Sequence, residues 1–568
     1  MYDGKPVPLP PKPFDTLLLL VQNQGHLLEK DAFLKQVWPD SFVEEVALAH
    51  SISQVRKALR NAAKGADFIE TVPKRGYRFI APVEVVLARS LETTSRVTLA
   101  VLPFANLAAD LDREYLADGL TEEVIAALGL VDPEHFGVIG RTSMMAYKGT
   151  TKSLAEIGAE LGAEFLVESS LRAEGGRLRI MSRLIRASDQ MQIWSASFDS
   201  EPPSVLEFQR ELSTAIAHQV RVRLSPDRMS ALERRQPRQV EAYDLYLRGR
   251  YFWNQLSPLT TRRALEFYAQ AIELDPDYAL AWSGLAMAYA GSPINGDAPP
   301  LHVWPRARDA AAHAARAGPN LAETQTSLGV LKFWLDWDWA EAETACRRAI
   351  ALDSSSGLAH RMLGIVLSAL TRHEEALVAM RRARELDPFD FTHHALSAQV
   401  AFTARDYLTA VECARQANRL NPEFWVGYYQ LAQAYERLGD CDSALDALQQ
   451  AGLFSGGNSK VISLRGYVLA RLGRTGEATD LLHTLEAVSR ERYVPPYAFA
   501  LVRAGLGEPI AALEWLERAY DSHDVHLVLL VVDPKWDAFR ADGRFRALIE
   551  RCAFTDGAAR DQAVRTGL

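Results

Sequence analysis

The chain of 568 residues carries 63 Lys and Arg against 72 Asp and Glu, a net charge of −9, with 48% hydrophobic and 24% charged residues. At about 150 residues per domain such a chain divides into three or four cores, and its composition excludes disordered, collagenous and disulfide-rich secreted classes. Its four cysteines are widely separated, with no C-x-x-C pair and no His at ligand spacing, so they read as reduced, packed thiols and leave no metal site.

The longest apolar runs, residues 17–21 and 527–532, fall far short of the roughly 18 residues a membrane span needs. No cationic start followed by an apolar segment and a cleavage site opens the chain, so a cytoplasmic protein without membrane contact is expected. Charge is uneven. Residues 1–85 hold 11 Lys and Arg against 10 Asp and Glu, which leaves the remainder at −10, and residues 50–80 alone hold seven basic against two acidic residues. A basic patch on an acidic chain points to a docking surface.

In chain order, Phe14, Leu17, Leu18 and Val21 recur at helical spacing and predict an amphipathic helix ending near Asn23, Gln24 and Gly25. A second helix is expected over residues 29–37, stopping before Pro39. In the third, Leu48, Ile52, Val55 and Leu59 form one apolar stripe, with His50, Ser53, Gln54 and Lys57 opposite it and Arg56 and Arg60 at its edges. Such an outward face suits the major groove, where base edges offer donors and acceptors between flanking phosphates. The stretch FIETVPKRGYRF, residues 68–79, reads as a hairpin. Phe68, Ile69 and Val72 lead in, Tyr77, Phe79 and Ile80 lead out, and Lys74, Arg75 and Arg78 crowd the Pro73/Gly76 turn.

Three helices followed by a cationic hairpin is the order of a winged helix. KPFDTLLLLVQNQGHLLEKDAFLKQVW, ISQVRKAL and FIETVPKRGYRF resemble the OmpR/PhoB-type winged-helix DNA-binding domain over about residues 5–82, within a domain placed at 1–84. The resemblance implies that the third helix enters the major groove and the wing the adjacent minor groove, with contacts from Ser51, Gln54 and Arg56 and from Thr71 and Arg75. The helical wheel instead favours His50, Ser53 and Lys57, and shares Gln54. Lys74 joins Arg75 as a wing cation for phosphate or a narrow minor groove. The resemblance further implies that the loop from Trp38 to Glu45 can meet RNA polymerase. The family's leading sheet is expected to be incomplete here, with an upstream start codon as the source of the rest.

After a polar linker around residues 89–96, VTLAVLPF reads as a buried strand. A helix (EYLADGLTEEVIAALG), a strand (FGVIG), a helix (SLAEIGAELG) and three strand-like runs (EFLVESSL, RLRIMSRLIR, QIWSASFD) follow, with Gly175 and Gly176 as a hairpin turn. This alternation predicts an α/β layer over residues 97–225. Asp118, Glu122 and Glu123 are expected at a helix start beside Thr121, where capping and the macrodipole explain them. KGTTKS lacks the G-x-x-x-x-G-K-[ST] of a phosphate loop, so no cofactor is expected. LPFANL, DREYLADGLTEEV, GRTSMMAYK and GAEFLVESSLR resemble the TolB N-terminal-like domain, which implies a non-catalytic connector.

From residue 241 the texture turns to Ala-rich helices. Ala342, Ala376, Ala410, Ala444, Ala478 and Ala512 are spaced by 34 residues, and Asp353, Asp387 and Asn421, then Gly364, Ala398, Ala432 and Gly466, keep the same period. Small residues suit positions where paired helices approach closely. LDPDYALAWSGLAMAYA, LDPFDFTHHALSAQVAF and LNPEFWVGYYQLAQAYERLGD resemble tetratricopeptide units. About eight helix pairs are expected over residues 241–555, beginning near Ala242, with an insertion at 291–305 and a frayed closing segment at 533–552. The concave face of such a stack binds a peptide or protein. Trp253, Trp282, Trp425 and Tyr429 are candidates for lining it or for the core.

The expected fold class is multidomain: a winged helix-turn-helix (α+β), an α/β connector and an all-α superhelix. The expected function is a one-component transcription regulator that binds double-stranded DNA, with the array as sensor or protein-docking arm and no catalytic set, metal or cofactor. Without a receiver domain and its acceptor Asp, input would arrive through the array or by a homodimer on tandem half-sites. The alternative is a scaffold or adaptor whose winged helix does not bind DNA. Steep salt dependence of DNA binding separates the two.

Overall fold

The computed structural model describes residues 11–23, 25–37, 45–62, 68–73, 75–81, 97–107, 114–129, 136–174, 177–200, 239–254, 258–296 and 298–552. The chain divides into two compact units, Met1–Thr94 and Ser95–Leu568.

The first unit runs α1 (Pro11–Gln22), β1 (Leu27–Glu29), α2 (Lys30–Val37), α3 (Glu45–Ala62), β2 (Ile69–Val72) and β3 (Gly76–Phe79). The strands form one antiparallel sheet in the order β1-β3-β2, so the second arm of the hairpin is paired on both sides. Leu20, Phe33, Leu48, Ile52, Val55, Ile69 and Phe79 make the core. The stripe on α3 is as the spacing predicts. The stripe on α1 is rotated: Thr16 and Leu20 are fully buried while Leu18 is 45% exposed, and the side chain of Phe14 lies outside the described residues. Burial of Thr16 is tolerated because its hydroxyl donates to the Lys12 carbonyl at 2.8 Å.

The second unit opens with a mixed sheet: β4 (Val97–Val101), β5 (Ala105–Asn106), α4 (Glu114–Gly129), β6 (Phe136–Val138), α5 (Arg141–Met145), α6 (Leu154–Leu161), β7 (Phe165–Glu174), β8 (Arg177–Arg186) and β9 (Gln192–Ser200). Strand order is β6-β4-β7-β8-β9 with β5 on β7. β4 lies parallel to both β6 and β7, which matches its continuous apolar run, with Leu99, Ala100 and Val101 fully buried. β8 and β9 pair antiparallel and alternate, with Ile180 and Leu184 inside and Met181 and Ile193 outside. Ser153 and Glu156 form a reciprocal capping box on α6, which ends on Gly162 at φ 61. Gly175, Gly176 and residues 201–225 of the expected layer lie outside the described residues.

The acidic group on α4 corrects the sequence reading. Since α4 starts at Glu114, Asp118, Glu122 and Glu123 sit mid-helix and do not cap it. Thr121 donates to the Ala117 carbonyl and accepts from Phe104 N–H. The carboxylates serve ion pairs instead: Asp118 with Lys148 at 2.6 Å, Glu122 with Arg141 at 3.2 Å and with Arg250.

Among the described residues sixteen helices, from Val240–Trp253 to Pro509–Asp521, form eight consecutive pairs. All six periodic alanines, Ala342 to Ala512, are fully buried, and a Cβ on Gly364 would lie 2.7 Å from Met380 Cγ. The expected insertion is absorbed into regular structure, as the helices Ala279–Gly296 and Pro300–Ala317 cover most of it. Nor is the closing segment frayed. Two 3-10 turns, Val525–Leu529 and Pro534–Phe539, and the helix Gly543–Arg551 follow, with Trp536 and Phe545 fully buried. They fold back on earlier repeats: Trp339 Nε1 donates to the Cys552 carbonyl at 3.2 Å, Arg405 meets Asp537 at 2.6 Å, and Lys535 Nζ donates to Gln433 at 2.5 Å.

The sheet layer is fastened to the array at two places. Along Val240–Trp253, Tyr115 donates to Asp244 at 2.5 Å, Tyr246 donates to Glu123 at 3.3 Å, and Arg250 meets Glu122. At the start of α5, Gly140 N–H donates to the Leu386 carbonyl at 2.7 Å, and Asp387 accepts the N–H of Thr142 at 3.0 Å, the N–H of Ser143 at 2.7 Å and the Ser143 hydroxyl. The Ser143 oxygen in turn accepts Phe389 N–H at 2.8 Å. Burial and the neighbouring Asp390 push Asp387 up to about 7. Burial holds His393 down at about 3, which leaves it a neutral partner for Arg361.

Candidate nucleic-acid interface

On α3, His50, Ser53 and Lys57 are exposed, and Gln54 and Arg56 are half-buried. The residues follow from the helix period: with Leu48, Ile52 and Val55 at 1% exposure or less, positions 50, 53, 54 and 57 fall on the far side. Gln54 Nε2 and His50 Nε2 lie 2.8 Å apart at i and i+4, while Gln54 Oε1 is buried without a partner. The pair presents one ordered polar surface.

Ser51 is a correction. It is 4% exposed and sits between the stripe residues Leu48 and Ile52 on the inward side of α3, so it offers no surface to a base edge. Arg56 has a structural task that the sequence reading missed. Its Nη2 donates to the Ile69 carbonyl at 2.7 Å and to the Thr71 hydroxyl at 2.8 Å, tying α3 to the wing strand β2. Thr71, itself exposed, is the other end of that tie. The signal available in sequence was the position of Arg56 at the edge of the stripe.

At the wing, Lys74 lies outside the described residues, as do residues 38–44 of the loop that leads from Trp38 to Glu45. Arg75 is exposed and stands 3.7 Å from Glu29, and Arg78 stands 3.5 Å from Glu70. Pairs this exposed contribute about 0–1 kcal/mol each, so phosphate can compete for either cation. Gly76 shapes the base of the wing, because a Cβ there would overlap the Leu28 carbonyl on β1.

The face therefore combines one helix with outward donors, acceptors and a cation, and a short hairpin clamped to it. Among the described residues no group of three or more His, Cys, Asp or Glu could hold a metal ion, and no helix is long and apolar enough to cross a membrane.

Residues 4–79 match the family "Transcriptional regulatory protein, C terminal", residues 95–215 the family "HilA/YgeH-like transcriptional regulator, second domain", and residues 427–451 the family "Tetratricopeptide repeat". The second match stands where the sequence resembled a TolB N-terminal-like domain. A Rhizobium meliloti protein named as a candidate adenylate cyclase is 32% identical over 193 residues, 34% of this chain and 32% of that protein. The transcriptional regulator HilA of Salmonella typhimurium is 23% identical over 388 residues, 68% of this chain and 67% of that protein. The transcriptional activator CadC of Escherichia coli is 37% identical over 82 residues, 14% of this chain and 16% of that protein. The chain thus spans a third of the first relative's length.

Proposed function

We propose that this chain, which joins a DNA-binding domain of the OmpR/PhoB transcriptional-regulator type to a HilA-like second domain and tetratricopeptide repeats, is a one-component transcription regulator acting on double-stranded DNA. The supporting observation is the Arg56 bridge. By holding Ile69 and Thr71 against α3, it makes helix and wing one rigid reader, with His50, Ser53, Gln54 and Lys57 toward the major groove and Arg75 with Lys74 toward the neighbouring backbone or minor groove. The domain division at 1–84, 97–225 and 241–555 is the division of labour we assign: reader, connector, and sensor or protein-docking arm.

Within this reading the loop from Trp38 to Glu45 is a contact for RNA polymerase, and two copies occupy tandem half-sites. No catalytic role is proposed, and the similarity to the candidate adenylate cyclase carries no activity to this chain. One observation favours a second reading, a scaffold whose winged helix leaves DNA alone: Arg75 and Arg78 each already have a carboxylate.

Fluorescence anisotropy of the full chain on its own upstream region, in a salt series, tests the proposal. Specific binding that falls steeply with salt supports the regulator, because each phosphate contact releases counterions. Absence of binding at low salt gives the scaffold reading.

A further inference from the structure

The segment that follows the last repeat pair lines a cavity together with earlier repeats. Val525, His526, Val528 and Leu529 of the first 3-10 turn, with Asp533 and Lys535 after it, form one wall of a 240 Å³ cavity whose other walls come from the repeats. Trp253, Trp425 and Tyr429 line it, whereas Trp282 stacks on His313 with ring centroids 4.2 Å apart and is not among the lining residues. A cavity of about 150 Å³ takes benzene, so this one takes a molecule of about ten non-hydrogen atoms.

Its walls are mostly indole, phenyl and aliphatic, and the polar groups among them are specific. Arg361 sits on one wall. Its Nη1 reaches Thr392 and His393 Nδ1, the latter at 3.0 Å, and Asp390 stands 3.8 Å away, yet its Nε is buried without a partner. His526 sits on the chain-end wall, its Nδ1 2.6 Å from Asp524 and its Nε2 likewise buried without a partner. With Nδ1 donating to Asp524, Nε2 of a neutral ring is an acceptor. The side-chain amides between them are already committed to each other: Lys535 donates to Gln433, Gln433 to Gln430 at 2.8 Å, and Gln430 to Gln399 at 3.4 Å. Of the lining cations, Arg361 stands by Asp390 and Lys535 pairs with Asp533 at 2.8 Å. A buried donor and a buried acceptor left without partners are each desolvated at a cost, which a ligand of the right chemistry recovers.

We propose that this cavity is an effector site for a small organic carboxylate with an apolar, preferably aromatic, body and a hydroxyl. The carboxylate meets the Arg361 side chain, the hydroxyl the His526 ring, and the body fills the space between the indole rings. Because the chain-end turn forms one wall, a bound ligand bridges the last segment of the array to its middle repeats and holds the array closed. This deepens the sensor part of the proposed function and rests on it for its regulatory meaning, though the binding event itself does not.

The test is isothermal titration calorimetry of the full chain with para-hydroxyphenylacetate, its neutral amide and para-ethylphenol. Saturable one-to-one binding of the acid, at least tenfold tighter than either neutral analogue, is expected. Arg361→Gln should abolish the preference for the acid over the amide. Since Arg361 also braces Asp390, a second variant, Leu396→Trp, fills the cavity from a half-buried lining position and should abolish binding of all three probes with the helical circular dichroism unchanged. Equal affinity for acid and amide, no saturable binding of any probe, or full binding by Leu396→Trp overturns the site. DNA anisotropy on the same samples is read separately, so loss of DNA binding with ligand binding intact overturns the regulator reading alone.

Discussion

The Asp387 carboxyl, at the end of a repeat helix, accepts the backbone N–H of Ser143 at 2.7 Å across 244 residues of chain. With Thr142 N–H and the Ser143 hydroxyl on the same carboxyl, and Phe389 N–H returning to Ser143, the contact locks α5 of the sheet layer to the turn between two repeats. Ser143 is fully buried, so no solvent substitutes for a lost partner. Ser143→Ala should therefore cost about 1–3 kcal/mol in urea unfolding. Gly140→Ala should act in the same direction, since its Cβ would lie 2.5 Å from Asp387 Cγ. Faster hydrogen exchange confined to residues 140–147 would locate the effect at the latch, and unchanged exchange there would refute it.

The buried Asp387 carboxyl makes the latch pH-dependent. Asp387 titrates near 7 in the folded chain and near 3.9 unfolded, so between about 4 and 7 the folded state binds more protons. Its contribution is fully present below about 4 and is lost as pH rises to about 7. His393, held down at about 3, works oppositely, and His360, His373, His394 and His523 are also lowered by burial. These histidines are common to wild type and Asp387→Asn and cancel in the difference. Wild type should thus gain on Asp387→Asn as the pH of a denaturant series falls from 7 to 4, and parallel profiles would reject the assignment.

How much of this was legible in sequence depended on period and distance. The stripe on α3 and the 34-residue alanines repeat often enough to fix an inward face. On α1, residues 17–21 are apolar on every side, so the spacing alone could not choose Leu20 over Leu18. β1 spans three residues, too few to show alternation. The latch was hidden for another reason: Asp387 was already accounted for by the repeat period, and nothing local points from it to Ser143. The outward residues of α3 came from the helical wheel, whereas Ser51 came from resemblance and proved to face inward.

Gly76 offers a test of the wing. It is flanked by Tyr77 in β3 and packs against β1, where a Cβ would overlap the Leu28 carbonyl. A backbone oxygen in a three-residue strand held on β3 cannot swing aside as a flexible side chain would. Gly76→Ala should destabilise the winged helix by about 1–3 kcal/mol or more. DNA binding should fall with it, while the repeat array, in a separate compact unit, keeps its own thermal transition. An unchanged first transition in calorimetry would show that β1 can yield.

The α3 residues separate into those that read, those that position and those that support. Lys57 is exposed and holds a point charge, so Lys57→Ala should weaken binding alike on all sequences and lower the salt slope by about 1. His50→Ala and Gln54→Ala break the 2.8 Å polar pair and should cost about 1–3 kcal/mol on the preferred site with little loss elsewhere. Ser51, at 4% exposure, supports the core, so Ser51→Ala should leave the salt slope and sequence preference alone. Arg56 is the decisive case. If it only met phosphate, Lys would replace it with a modest loss. Because Nη2 alone reaches both the Ile69 carbonyl and the Thr71 hydroxyl and the Lys side chain is one atom shorter, Arg56→Lys should loosen the wing and weaken DNA binding several-fold, and Thr71→Val should reproduce part of that loss without removing a charge. Full binding by both Arg56→Lys and Thr71→Val would mean that the clamp does not position the wing.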